Sequence, residues 1–185
     1  MEESYKSSGI CERIGRGLKL KCPKELTSIS YCDSNYAQDA DDRKSISGRV
    51  NTIGGMITNY SSKKQATVTL SSTEAEYISL SDCCQETKFQ WMLLRELTGS
   101  KEPGTIYEDN TGAIFLVKNQ QVGPRMKHID VRHHFIRGPI EENIVDVKFV
   151  RSEENVSDIM TKNLPEKSFN KHKASLLEGT IEAWR

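Results

Sequence analysis

Between Ser28 and Ser61 the sequence alternates apolar with small or polar residues in three short runs, and from Ser72 it changes to a helical period. That switch constrains the fold more than any other feature. Side chains repeat every two positions on a strand face but about every 3.6 on a helix. The first run is SISYCDSN (28–35), where Ile29, Tyr31 and Asp33 take alternate positions. SGRVNTI (47–53) and GMITNYS (55–61) follow, around the turn signal Gly54-Gly55. Three strands with tight connections predict an antiparallel meander. Ala75, Ile78, Cys83, Phe89, Met92 and Leu93 then predict a long helix over 73–97, ended by Thr98-Gly99.

Beyond it come a strand TIYED (105–109), a helix in NTGAIFLVKN, and a helix in HIDVRHHFIR that stops at Gly138-Pro139. A strand IVDVKFV (144–150) and helices over Asn155–Lys162 and Glu166–Leu177 complete the order. Helices alternating with strands after an opening meander predict an α/β fold with a mixed sheet. A chain of 185 residues suits one domain. The expected layout is a tail or tether over 1–25, the domain over 26–163, and a C-terminal helix and tail over 164–185. An edge strand around Leu18–Leu20 is the alternative reading of the first segment.

Charge and cysteine usage narrow the function. The 26 basic and 26 acidic side chains balance, which excludes a uniformly basic nucleic-acid coat and leaves local patches to do any such binding. The polar start MEESYKSSG lacks the apolar core of a secretory signal, and no apolar run approaches bilayer length. An intracellular protein without a membrane partner is expected. Cys11, Cys22, Cys32, Cys83 and Cys84 are odd in number and form no C-x-x-C pair, so reduced thiols are expected rather than disulfides or structural zinc.

Four acids stand where a sheet enzyme places its chemistry. Asp33 lies on the first strand, Glu76 near the start of the long helix, Asp109 at the end of the fourth strand, and Asp158 after the last strand. Clustered carboxylates need a compensating cation, and hard oxygen donors select Mg²⁺ or Mn²⁺. Each acid also has a structural reading. Thr73-Glu-Ala-Glu76 forms a capping box, Asp109-Asn110 a helix N-cap, Asp158 a first-turn acid, and Asp33 a strand-end surface residue. Composition and periodicity do not choose between the two sets.

A resemblance does. SYCDSNYAQDADDRKSISGRV, KKQATVTLSSTEAEYISLSDC, IYEDNTGAIFLVKN, MKHIDVRHHFIR and VRSEENVSDIMTKNLP resemble, in that order, the ribonuclease H domain of copia-type LTR retrotransposon polyproteins. The similarity runs from about Gly17 to about Lys173. It implies a ribonuclease H-like fold, a five-stranded mixed sheet whose first three strands are antiparallel, flanked by helices. It also implies endonucleolytic cleavage of the RNA strand of RNA–DNA hybrids at a site holding two Mg²⁺ or Mn²⁺ ions. Asp33, Glu76, Asp109 and Asp158 match the catalytic, metal-binding set. The implied partners are the hybrid and, in an intact polyprotein, a reverse transcriptase domain; the implied location is a cytoplasmic particle or the nucleus.

The same resemblance points to substrate contacts at Ser71, Ser72 and Thr73, before the helix acid, and at Asn110 and Thr111, after the strand acid. Lys127, His128 and Arg132, in the basic segment RMKHIDVRHHFIR, suit the DNA backbone. Two departures stand out. Asn35 and Tyr36 replace the Asp and Trp that relatives usually carry, and Thr111 replaces a Gln. The loop RSEEN (151–155) carries no histidine, whereas many ribonucleases H have one before the last acid. An integrase would place its Glu last, and here Glu76 comes second. A non-catalytic adaptor on the same fold is the remaining alternative, although it typically loses an acid and none is lost here.

Overall fold

Gly54 and Gly55 turn the chain with φ of 58° and 82°, a conformation open to glycine without steric cost. The turn returns Ile46–Ile53 (β2) as Met56–Lys64 (β3). Ser28–Asn35 (β1) runs antiparallel to β2, from Ser28 opposite Ile53 to Asn35 opposite Ile46. These elements belong to a computed structural model that describes Leu18, Pro23, residues 25–119, residues 130–178 and Ile181, with 130–134 described by backbone alone. The edge strand expected around Leu18–Leu20 lies outside the described residues, apart from an exposed Leu18.

The chain then forms the helix Ser72–Thr98 (α1), the strand Gly104–Glu108 (β4), the helices Thr111–Lys118 (α2) and Asp130–Glu141 (α3), and the strand Val145–Phe149 (β5). Glu166–Glu178 (α4) closes it. β4 pairs parallel with β1, and β5 pairs parallel with β4. The sheet order is β3-β2-β1-β4-β5, a mixed sheet whose first three strands are antiparallel. Among the described residues no helix is long and apolar enough to cross a membrane.

Strand alternation divides the core between the two faces of the sheet. Cys32 and Ile106 face Tyr77, Leu80, Val117 and Ile136 from the first three helices. Ile29, Tyr31 and Tyr107 face the other way, toward Val156, Leu176 and Ile181. Tyr31 and Tyr107 stack with ring centroids 5.0 Å apart. Cys32, Cys83 and Cys84 are buried free thiols.

Three local expectations change. The helix α3 does not stop at Gly138-Pro139 but continues to Glu141. Pro139 cannot donate to the preceding turn, yet Ile136 is fully buried and Ile140 packs on the same core, which holds the last turn in place. The segment 155–162 is not an α-helix: Ser152–Glu154 and Val156–Met160 are short 3₁₀ turns. Asn155 separates them by accepting from the Ser157 N–H and donating to the Cys32 carbonyl at 2.8 Å, an attachment to β1 that a continuous helix would break. Finally, α1 begins at Ser72, so Ser71 is its N-cap.

Candidate active site

That shift of the cap decides what Glu76 is free to do. Ser71 Oγ accepts from the Glu74 N–H at 3.2 Å, and Glu74 Oε2 accepts from the Leu70 N–H at 2.7 Å. The capping box is therefore Ser71…Glu74, not Thr73…Glu76. Glu76 sits two residues further in and is buried, and the cap does not use its carboxylate. A similar division holds at the next helix. Asn110 Oδ1 caps α2 through the Ala113 N–H at 3.0 Å, which leaves the carboxylate of Asp109 outside the cap.

Strand register brings the aspartates together. Tyr31 stands opposite Tyr107 on parallel neighbours, so Asp33 and Asp109, each two residues further on, leave the same end of the sheet. Asp158 arrives on the second 3₁₀ turn, which lies against β1 and β2. Asn35 Nδ2 donates to the Thr161 carbonyl at 3.2 Å and Ser62 Oγ to the Met160 carbonyl at 2.6 Å. A Cβ on Gly48 would lie 2.5 Å from Thr161 Cγ2 and 2.9 Å from Met160 Cβ, so only glycine lets the turn seat. Asn35 thus uses its amide to anchor the turn that carries Asp158.

The carboxylates form two groups that share one member. Oxygens of Asp33, Asp109 and Asp158 lie within 4.8 Å of one another, and so do those of Glu76, Glu108 and Asp109. Glu108 was not foreseen. Its signal was present in the alternation of TIYED, which puts it on the same face as Ile106, toward α1. It is fully buried, and both its oxygens are engaged: Oε2 accepts from Cys32 Sγ at 3.1 Å and Oε1 from the Asn110 N–H at 2.9 Å. Glu76 Oε2, by contrast, is buried without a hydrogen-bond partner among the described residues. Asp109 Oδ2 accepts from Ser152 Oγ at 2.5 Å.

Burial and mutual repulsion set the protonation of this cluster. Burial, reinforced by Glu108, Asp33 and Asp109, pushes Glu76 up to about 10. Glu108 is raised well above the carboxylate range, chiefly by burial. Burial and then Asp33 lift Asp158 to about 7, against the pull of Lys162. The Lys162 ammonium lies 2.9 Å from both Asp33 Oδ1 and Asp158 Oδ1. Burial disfavours its charge, but the two carboxylates outweigh burial and raise it. An all-oxygen donor set, short of positive charge and with one buried oxygen unpartnered, fits a hard divalent cation.

The candidate substrate groups divide. Ser72 and Thr111 are exposed and Thr73 half-buried, at the adjoining N-termini of α1 and α2. A Cβ on Gly112 would lie 3.1 Å from Thr73 Oγ1, so glycine permits that approach. Ser71 and Asn110 are engaged as caps. Lys127 and His128 lie outside the described residues, and Arg132 is described through its backbone alone in α3.

No protein-family model matches the chain. The retrovirus-related Pol polyprotein from transposon RE1 of Arabidopsis thaliana is 37% identical over 154 residues, which cover 83% of this chain. The chain spans only 10% of that relative's length. Among solved structures, LC11-RNase H1, isolated from compost, superposes with a TM-score of 0.55 at 17% identity, covering 79% of this chain and 97% of that one. Its complex with an RNA/DNA hybrid superposes with a TM-score of 0.52 at 14% identity, covering 78% and 98%. The sheet order, the helices laid on it and the identity to a transposon polyprotein agree: the chain is similar to one segment of the retrovirus-related Pol polyproteins of transposons, and that segment has the ribonuclease H fold.

Proposed function

We propose that this segment is a divalent-metal-dependent ribonuclease H that cleaves the RNA strand of an RNA–DNA hybrid. The observation that carries the reading is the convergence of Asp33, Asp109 and Asp158 within 4.8 Å, with Asp109 shared by the group that contains Glu76. Asp33, Glu76, Asp109 and Asp158 would hold Mg²⁺ or Mn²⁺. When bound, two such ions would lower the pKa of a water so that its hydroxide can attack the phosphodiester, and would supply charge that stabilises the leaving oxygen. The chain's own part is positioning. Asp109 is oriented by Ser152, and Asp33 by its neighbours on the 3₁₀ turn. Glu76 joins the cluster through its carboxylate, whose Oε2 is buried without a hydrogen-bond partner among the described residues.

Selectivity for RNA rests on groups that sense the 2′-hydroxyl beside the scissile bond. Ser72, Thr73 and Thr111 are the candidates for this; that Ser71 and Asn110 cap their helices supports the choice. Lys127, His128 and Arg132 supply contacts to the DNA-strand backbone, which position without reading sequence. Residues 26–163 form the catalytic unit, and Leu176 and Ile181 of the C-terminal segment pack against it. The partners are the hybrid and a reverse transcriptase domain of the same polyprotein, in a cytoplasmic particle or the nucleus.

A labelled hybrid incubated with the protein tests the reading. Mg²⁺ or Mn²⁺ should release RNA fragments with 3′-hydroxyl and 5′-phosphate ends, chelator should stop release, and duplex DNA should stay intact. A wild-type protein that binds hybrid but cuts nothing with either ion would establish a non-catalytic adaptor instead.

A further inference from the structure

Among the described residues Lys162 is the one cation paired within the acid cluster, and the proposed reaction gives it no role. Its ammonium has two partners among the described residues, Asp33 Oδ1 and Asp158 Oδ1, each at 2.9 Å. Asp33 is fully buried, and its second oxygen accepts from the Thr161 hydroxyl. Both oxygens of Asp33 are thus occupied by consecutive residues at the end of the turn that carries Asp158. The opposite side of the cluster differs, for there Glu76 Oε2 has no partner. One side stands open to a cation, and the other is already closed by one.

We propose that Lys162 is a built-in counter-cation, and that a divalent ion gains the Asp33–Asp158 side only by displacing it. This rests on the metal-dependent reading above. Two buried carboxylates this close require a positive charge in the metal-free protein, and Lys162 supplies it. The side chain is suited to leave. It is 33% exposed, it hangs on a flexible four-carbon stem, and its ammonium is a compact, strongly hydrated charge that water readily receives. The two sides of the cluster therefore load unequally: the Glu76–Asp109 side fills first, and the Asp33–Asp158 side pays for the ammonium's release.

Calorimetric titration with Mn²⁺ alone, without nucleic acid, tests this on the full chain. The wild type should show a tighter and a weaker event. Lys162→Met should strengthen the weaker event about tenfold, and Lys162→Arg, which keeps the charge, should not. A merely structural lysine would weaken metal binding when removed, so the sign decides. A second reading needs no variant: the Lys162 side-chain resonance of the wild type should shift as Mg²⁺ saturates. Equal or weaker Mn²⁺ binding by Lys162→Met, or an unmoved resonance alongside normal metal binding and cleavage, overturns the displacement and leaves the nuclease standing. Absence of metal binding in every form, with no cleavage, overturns both.

Discussion

Two polar clusters are buried beneath α1, and they are built on opposite principles. Along its middle turns, Ser30 Oγ lies 2.8 Å from Asn51 Nδ2 and 2.8 Å from the Thr87 hydroxyl. Ser28 Oγ donates to Gln90 Oε1 at 2.7 Å, and Gln90 Nε2 donates to the Thr58 hydroxyl. These groups are neutral and partnered, and they join α1 to β1, β2 and β3. At the N-terminal end of the same helix the buried groups are carboxylates, held among the described residues by a single lysine and with one oxygen unpartnered. A satisfied neutral network stabilises and specifies a fold. A crowded, under-compensated set of charges costs stability and is kept where chemistry needs it.

The largest break in this contrast comes from the charged cluster. Asp109→Asn removes the one carboxylate common to both acid groups, and cleavage of hybrid should fall at least about a thousandfold. Among the described residues its half-buried side chain bonds only Ser152, so thermal unfolding should stay within a few degrees of wild type. A variant retaining a tenth of the activity would remove Asp109 from the centre of the site.

In the neutral cluster the effect should appear in stability alone. Asn51→Leu leaves Arg49 Nη1 without its acceptor at 2.9 Å and Ser30 with one donor fewer. A loss of about 2 kcal/mol is expected, which lowers the melting temperature by roughly 4–8 °C for a chain of this size. Turnover by the folded fraction should be unchanged. A loss of cleavage without a loss of stability would show the two clusters to be coupled.

Acidity separates them again. Glu76 is raised from 4.5 to about 10 and Asp158 from 3.8 to about 7. Within those windows the folded state holds protons that the unfolded state has released, so metal-free stability should fall as pH rises. For Asp158 the decline ends near pH 7, and for Glu76 it continues toward pH 10. Melting curves between pH 5 and 9 should slope downward, and Glu76→Gln should flatten the slope. Asn51→Leu should displace the whole curve without changing its slope, because Asn51 does not titrate.

The smallest effect is expected at the rim. Thr111 is exposed beside the site, at the position where the family resemblance implies a Gln. Thr111→Gln should lower the Michaelis constant on hybrid up to about fivefold, equivalent to roughly 1 kcal/mol for one recovered contact, and leave kcat unchanged. Unchanged hybrid kinetics in both Thr111→Gln and Ser72→Ala would move RNA recognition toward the segment of Lys127 and Arg132.

Much of this was legible along the chain. The alternation of SISYCDSN marks β1 from Ser28 to Asn35, the Gly54-Gly55 pair marks the hairpin, and the helical period marks α1 to within a residue. Those signals are local, since they depend on neighbours a few positions apart. The four acids were legible in another way, through motif strings and not through periodicity. Glu108 went unread although it adjoins Asp109, because strand alternation gives its face but not the burial that removes it from solvent. The capping register went unread as well. Ser71, Ser72 and Thr73 are all able N-caps, and the choice among them is made by where α1 meets the sheet.

By itself the sequence determined the period of each element, their order, and which residues carry charge. Only the tertiary structure decided which charges meet. Asn155 and Cys32 are 123 positions apart, and their hydrogen bond keeps the last turn off the helical path. Lys162 and Asp33 are 129 apart, and their pairing closes one side of the acid cluster while the other stays open. Local pattern is written by steric preference and hydrophobic spacing between near neighbours. The distance, burial and protonation of a carboxylate depend on whatever the rest of the chain folds against it.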